Sequence, residues 1–346
     1  MNVDLDVKIG QMIMIGFRGL ELQKDNPVLR DLQKLHAGSI VFFAYDVARK
    51  VPVFNIESPA QVRALTSALQ NAATLPLLIS IDQEGGKVTR LTEEQGFPPS
   101  VSAAHLGSLN DLLTTSHYAT LTADTLADIG INLNLAPSVD LNINPENPII
   151  ARRERSYSSD PAVVIAHATE VINAHHARGV LSTLKHFPGH GSSSHDSHLG
   201  FVDVTSSWRE AELEPYRSII GTGLCDAVMT AHIFNANLDP DFPATLSRRI
   251  ITGILREQLQ FDGVVISDDM QMKAITDHYG LETAVQRAIE AGLDIISFAN
   301  NSVYEPDIVL KATNIIKKLV RTGVISEARI EESFRRISTL KKRMLR

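Results

Sequence analysis

Short apolar runs, rich in β-branched residues, alternate along the chain with longer stretches whose apolar positions recur at helical spacing. Most of the short runs are continuously apolar. A strand with one solvent-exposed face would instead alternate apolar and polar positions. We therefore expect parallel strands that are covered by other elements on both faces. Eight runs predict strands, at residues 12–17, 38–43, 77–82, 132–136, 181–186, 227–231, 264–267 and 295–298.

The segments between these runs carry the start and stop signals of helices. Ser58 and Asp160 each precede a proline, which places a capping side chain before a proline at the first helical position. Glycines that would end a helix lie shortly before five of the predicted strands, at Gly130, Gly179, Gly223, Gly263 and Gly292. The chain therefore has the order of repeated strand–helix units.

Eight such units predict an α/β fold, a single (β/α)8 TIM barrel domain over residues 1–346, with closing helices at about 306–346. An open, doubly wound sheet is the alternative. The chain contains no G-x-G-x-x-G or Walker-type loop. Nucleotide-binding versions of the open sheet are therefore disfavoured.

Charge and composition argue against several classes of protein. The 346 residues include 40 acidic and 33 basic side chains, a net charge of −7, which argues against a nucleic acid partner. The first residues are acidic where a secretion signal would be basic, and no apolar run reaches the roughly 18 residues of a membrane span. The single cysteine, Cys225, lies in an apolar run and predicts a buried thiol. We expect a cytoplasmic protein without membrane association.

Chemically reactive side chains follow the predicted strands at their carboxyl ends. They are Asp82 after the third strand, Asp140 and Arg155 after the fourth, Lys185 and His186 at the end of the fifth, His232 after the sixth, and Asp268 and Asp269 after the seventh. Active sites of barrels lie at this end of the strands. We therefore expect these side chains to converge on one mouth.

The densest group is the segment 185–198, which we call the histidine loop and which holds four histidines, Lys185 and Asp196. Pro188, Gly189 and Gly191 break regular structure there, as a tight loop requires. Imidazoles titrate near neutral pH, so this loop suits either proton transfer or metal binding.

Asp268 and Asp269 emerge where the seventh strand opens into a loop, and adjacent residues there point in different directions. We expect Asp268 to face the barrel axis, with Asp269 supporting it or capping the next helix. A carboxylate opposite a positioned acid is what cleavage of a glycosidic bond needs. His198, oriented by Asp196 two residues earlier, is the candidate acid, because a carboxylate fixes the tautomer of an imidazole.

Seven segments taken in order resemble one known family. Among their residues are Asp82-Gln83-Glu84-Gly85-Gly86, Arg155-Ser156-Tyr157-Ser158 and Ser267-Asp268-Asp269-Met270, and the full segments are 81–91, 97–100, 134–140, 144–148, 155–161, 185–198 and 261–270. Together they resemble the β-N-acetylhexosaminidases of glycoside hydrolase family 3, barrel enzymes that act on N-acetylglucosaminides in bacterial cell-wall turnover.

The resemblance implies a role for each matching residue. Asp268 takes the place of the covalent nucleophile, and His198 that of the acid/base, paired with Asp196. The positions that would bind substrate are Asp82, Arg90, Arg155, Lys185 and His186. The link before Arg155 is two residues longer than the family pattern, so either Arg153 or Arg155 meets the sugar.

The resemblance implies a retaining exo-β-N-acetylglucosaminidase that removes terminal N-acetylglucosamine from amino-sugar or muropeptide substrates, without cofactor or metal. A β-glucosidase of the same family is the nearest alternative. Others are a hydrolase with a metal held by histidines and aspartates, a glycosidase assisted by the substrate acetamido group, a Schiff-base aldolase using Lys185, and a sugar-binding module without activity.

Overall fold

The computed structural model describes residues 3–196 and 200–344 of the chain. It contains eight strands: β1 (Ile13–Gly16), β2 (Ser39–Phe42), β3 (Leu78–Ile81), β4 (Leu133–Asn134), β5 (Leu181–Phe187), β6 (Ala227–Thr230), β7 (Val264–Ile266) and β8 (Ile296–Phe298). All pairings are parallel, in the order β7-β6-β5-β4-β3-β2-β1-β8. A further bridge joins Ile266 to Ile295 and brings β7 beside β8. The eight predicted strands and the (β/α)8 barrel are thereby confirmed.

Helices surround the sheet. They are α1 (Leu5–Gln11), α2 (Pro27–Gln33), α3 (Pro59–Ala72), α4 (Ala103–Leu109), α5 (Leu112–Asp128), α6 (Pro161–His176), α7 (Glu214–Gly221), α8 (Lys273–Thr276), α9 (Leu281–Ala291), α10 (Ile308–Arg321) and α11 (Glu327–Arg343). A π-type helix at Arg249–Gln258 connects β6 to β7. Short 3-10 turns lie at Glu93–Gln95, Glu210–Leu213 and Ala244–Leu246.

The predicted capping signals form as expected. The Ser58 hydroxyl accepts a hydrogen bond from the backbone N–H of Gln61 at the start of α3. The Asp160 carboxylate accepts one from Ala162 at the start of α6. In both helices the proline that follows needs no partner for its nitrogen, since the first-turn N–H groups have none within the helix.

Burial explains why the strand segments are continuously apolar. Every residue of the eight strands is buried, so neither face of the sheet meets water. In-register neighbours such as Ile40 and Ile79 belong to one continuous hydrophobic core. The packed interior holds the carboxyl ends of the strands in fixed relative positions.

The first and last helices meet at the amino ends of the strands, which we call the barrel floor. Lys341 of α11 is buried there and donates hydrogen bonds to Gln11 Oε1 (2.6 Å) and to the carbonyl oxygen of Gly38 (2.9 Å). Burial lowers the pKa of Lys341 to about 7. An ion pair between Lys8 and Glu331 (2.5 Å) also links α1 to α11.

With seven residues, β5 is the longest of the eight strands, and its carboxyl end lies at the end of the barrel opposite the floor. Its length places Lys185 and His186 within hydrogen-bonded sheet, and a bridge from Lys185 to Ser138 extends the pairing with the β4 side. These two side chains are therefore carried by a strand rather than by a free loop.

Candidate active site

A cavity of about 550 Å³ opens at the carboxyl ends of the strands. This volume suits a small-molecule ligand. Seven predicted site residues line it: Asp82, Arg90, Arg155, Lys185, His186, Asp196 and Asp268. The eighth, His198, lies outside the described residues. The structure thus brings Asp196, from the histidine loop, to the same cavity as Asp268, from the end of β7.

Lys185 lies between two carboxylates at the cavity floor. Its Nζ is 2.7 Å from Asp82 Oδ1 and 2.6 Å from Glu84 Oε1, and its side chain is 1% exposed. The other oxygen of Asp82 is 3.5 Å from Arg90. Burial would raise the pKa of Asp82, but the charges of Lys185 and Arg90 outweigh it and hold that pKa below its usual value. Asp82 is therefore an ionised acceptor at neutral pH.

Arg155 forms a bidentate ion pair with Glu84. Its Nε lies 2.8 Å from Oε2 and its Nη2 lies 2.7 Å from Oε1. Burial would raise the pKa of Glu84, yet the charges of Arg155 and Lys185 bring it well below the usual range. Burial would lower the pKa of Arg155, and Glu84 raises it above the usual value. The pair is therefore charged on both sides, and Glu84 connects Arg155 to Lys185.

His186 is held at both ring nitrogens by protein groups. Arg155 Nη2 lies 2.9 Å from Nε2, and Asp140 Oδ2 lies 2.7 Å from Nδ1. Because a guanidinium can only donate, Nε2 accepts, and Nδ1 carries the hydrogen that is donated to Asp140. His186 borders the cavity, but its hydrogen-bonding groups orient Arg155 rather than point to a ligand.

Asp140 also fixes the start of the histidine loop. Its Oδ1 accepts hydrogen bonds from the backbone N–H of His190 (2.7 Å) and of His186 (3.3 Å). Burial would raise the pKa of Asp140, but His186 and His190 bring it well below its usual value. Burial lowers the pKa of His190 to about 4, so that ring is neutral at neutral pH.

Both Asp268 and Asp269 line the cavity, whereas the sequence predicts that one of them faces the axis. The two carboxylates accept hydrogen bonds from different parts of the chain. Asp269 Oδ1 accepts hydrogen bonds from the backbone N–H of Gln271 (3.1 Å) and of Ala299 (2.9 Å), which ties the loop after β7 to the loop after β8. Asp268 Oδ1 accepts one from the N–H of Asp269 (2.7 Å). These two bonds show that Asp269 helps to hold the two loops together.

Both arginines that the sequence leaves as alternatives reach the cavity. Arg155 is 11% exposed and lies in the ion pair with Glu84, whereas Arg153 is exposed at the cavity edge. Arg153 is therefore a second cation at the mouth, beside Arg155.

Two carboxylates, Glu84 and Asp140, hold the side chains of the cavity in ways that the sequence does not predict. Glu84 lies two residues beyond Asp82, and positions two apart on an extended chain share a face. That spacing is a usable signal, because the sequence predicts that Asp82 lies at the barrel mouth. The sequence also predicts Asp140 at a strand end, but nothing in the sequence pairs it with His186.

Within residues 3–196 and 200–344, no helix is long and apolar enough to cross a membrane. Nor do three or more histidine, cysteine, aspartate or glutamate side chains there form a group suited to a metal ion.

Comparison with known proteins gives consistent matches. Residues 4–340 match the model of the glycosyl hydrolase family 3 N terminal domain. A beta-hexosaminidase of Tolumonas auensis is 34% identical over 294 residues, covering 84% of this chain and 83% of that protein. Beta-hexosaminidase A of Pseudoalteromonas piscicida is 38% identical over 263 residues, covering 70% of this chain and 44% of that protein.

Among solved structures, a family 3 beta-N-acetylglucosaminidase from Paenibacillus sp. str. FPU-7 superimposes with a TM-score of 0.90 at 38% identity. The match covers 99% of this chain and 63% of that one. This chain thus spans less than two thirds of two of these three relatives, and most of the third.

Proposed function

The chain belongs to glycosyl hydrolase family 3 and is a glycoside hydrolase, and we propose that it is a retaining exo-β-N-acetylglucosaminidase. The observation that carries the proposal is the common cavity of Asp196 and Asp268, which is also lined by Asp82 and by five cationic side chains, Lys87, Arg90, Arg153, Arg155 and Lys185. In this proposal the domain acts in the cytoplasm as a single catalytic unit. Its substrates are small amino-sugar compounds such as fragments of peptidoglycan.

The cations and Asp82 suit a sugar that carries hydroxyl groups and an acetamido group. Asp82 accepts hydrogen bonds from hydroxyls, and Arg90 and Arg153 donate to hydroxyl and carbonyl oxygens. Val41, Leu135 and Met229 supply apolar lining. Glu84 fixes both Lys185 and Arg155, so these two hydrogen-bond donors are positioned before a substrate arrives.

The proposed reaction has two displacement steps. The carboxylate of Asp268 attacks the anomeric carbon while His198, oriented by Asp196, gives its proton to the departing glycosidic oxygen. The bond from Asp268 to the sugar forms as the bond to the leaving group breaks. His198 then takes a proton from water, which displaces Asp268 and releases N-acetylglucosamine with retained configuration.

The first prediction compares two aryl glycosides with the same leaving group. We expect kcat/KM for the aryl N-acetyl-β-glucosaminide to exceed that for the aryl β-glucoside by at least about 100-fold. A site built to bind a polar substituent rejects the analogue that lacks it more strongly than an apolar pocket does. Initial rates measured with both substrates over one concentration range give the ratio.

The β-N-acetylgalactosaminide with the same aryl group is a useful third substrate, because it keeps the acetamido group and changes one hydroxyl. A ratio near one between the first two substrates, or a preference for the glucoside, would contradict the proposal and favour the β-glucosidase alternative. Lack of hydrolysis of all three would exclude an exo-acting glycosidase of this specificity.

A further inference from the structure

We propose that Glu212 is a positioning residue for the acid/base step, because it fixes the backbone of the loop that leads to Asp196. The inference rests on the proposed function, in which Asp196 and His198 supply the proton. Glu212 lies in the turn Glu210–Leu213 ahead of α7 and is not among the residues that line the cavity.

The carboxylate of Glu212 joins two separate parts of the chain. Its side chain is buried, at 1% exposure. One oxygen, Oε2, accepts a hydrogen bond from the backbone N–H of Gly191 at 3.0 Å. The other, Oε1, accepts one from the backbone N–H of Arg209 at 3.3 Å. Glu212 therefore fastens the histidine loop to the segment that enters α7.

The loop fits closely against this anchor. Gly189 has a φ of +118°, and a Cβ added there would lie 2.5 Å from Glu212 Cβ. Trp208 Nε1 donates a hydrogen bond to the carbonyl oxygen of Pro188 at 3.1 Å. Residues 208–212 thus form one wall against which residues 188–191 are held.

The opposite wall comes from the loop after β4. Asn147 Nδ2 donates hydrogen bonds to the carbonyl oxygens of His190 (2.8 Å) and Gly191 (3.2 Å). A Cβ at Gly191 would lie 1.7 Å from the carbonyl oxygen of Leu141, so the two loops touch backbone to backbone. The segment is held between this wall and Glu212. Five residues beyond Gly191, the chain delivers Asp196 to the cavity.

A carboxylate is suited to this position because both of its oxygens are acceptors and both meet backbone N–H groups. Burial raises the pKa of Glu212 to about 7, whereas the hydrogen bonds that it receives from Ser192, Arg209 and Gly191 favour the ionised carboxylate. Glutamine has nearly the same shape but replaces one acceptor by an NH₂ donor. That donor would face either Gly191 or Arg209 and leave one N–H without an acceptor.

Leaving-group dependence tests this role. We compare Glu212→Gln with Glu210→Gln, a matched change on the same turn at a side chain that is 82% exposed. The substrates are the β-1,4-linked disaccharide of N-acetylglucosamine, whose leaving group needs a proton, and dinitrophenyl N-acetyl-β-glucosaminide, whose leaving group does not. For each, kcat/KM reports the first displacement, in which the leaving group departs.

For Glu212→Gln we expect kcat/KM on the disaccharide to fall by about 10- to 100-fold, as for outer groups that orient a reacting side chain. On the dinitrophenyl glycoside it should stay within about threefold, because acid catalysis contributes little there. Glu210→Gln should leave both values unchanged. His198→Gln provides the reference pattern for loss of the acid itself.

An equal fall on both substrates, or no fall on either, overturns the positioning role. If Glu212→Gln does not fold, Trp208→Phe replaces it, since this change removes the hydrogen bond to Pro188 and keeps most of the ring packing. It should show the same substrate dependence with a smaller fall, and equal effects on the two substrates would again overturn the inference. Inactivity of the wild-type enzyme on both substrates would instead refute the proposed function.

Discussion

Replacing Asp268 by asparagine is expected to lower kcat/KM for an aryl N-acetyl-β-glucosaminide by at least about 10⁴-fold. An amide is a poor nucleophile and carries no charge to offset the positive charge that develops at the anomeric carbon. Asparagine keeps the volume of the side chain and an oxygen that can accept from the N–H of Asp269. Steady-state rates of the wild type and of Asp268→Asn test this prediction. Thermal unfolding of the same two proteins should give closely similar melting temperatures.

Asp269→Asn is the matched control, because its oxygen can still accept from Gln271 and Ala299. We expect it to lose less than about tenfold in kcat/KM, since it alters a supporting group only. A slow fluorinated substrate should leave a labelled sugar on Asp268. Near-normal turnover by Asp268→Asn, with no labelled peptide, would favour the route in which the substrate acetamido group is the nucleophile.

The second large effect is expected from Glu84→Gln, which should destabilise the folded protein by about 3–5 kcal/mol. The change removes the one carboxylate shared by Arg155 and Lys185, and buried charges that lose a partner are costly. Arg155 and Lys185 would also lose their fixed positions, so kcat/KM should fall in the same variant. Urea unfolding at pH 7 gives the stability of the variant and of the wild type. Steady-state rates of the same two proteins give the change in kcat/KM.

The pH dependence of this variant follows from the direction of the pKa shift. The pKa of Glu84 lies well below its unfolded value of about 4.3, so its contribution to stability is present above that value and is lost as the pH falls. The difference in stability between wild type and Glu84→Gln should therefore be largest near neutral pH and shrink in acid.

A suitable comparison is Glu154→Gln. Glu154 forms an ion pair with Lys87 at 2.5 Å, and both side chains are largely exposed, so little change in stability is expected. If Glu84→Gln and Glu154→Gln unfold at the same urea concentration, the buried network does not stabilise the fold as described.

The strand positions could be predicted because the strands of a parallel barrel have a distinctive sequence pattern. Each strand is buried on both faces, so apolar runs appear without alternation, and the order of such runs gives the topology. The observed strands are shorter than predicted at most ends. The carboxyl-end rule for barrels then brings Asp82, Lys185 and Asp268 to one cavity without further information.

The pairings within the cavity could not be predicted in the same way. Whether Lys185 meets Asp82, Glu84 or both depends on rotamers and on the relative heights of two strands that are far apart in the chain. The role of Glu212 depends on a turn between β5 and α7 that has no periodic pattern. Side-chain partners between loops are set by the packed fold, and a linear pattern does not encode them.

The barrel floor has a practical consequence for attaching this enzyme to a solid support. Because α1 and α11 meet there through Lys341 and Gln11, a tether placed near these helices would hold the molecule by the face opposite the cavity. Immobilised molecules would then share one orientation, with their openings towards the flowing medium. A dissolved substrate could then reach the cavity without crossing the support surface.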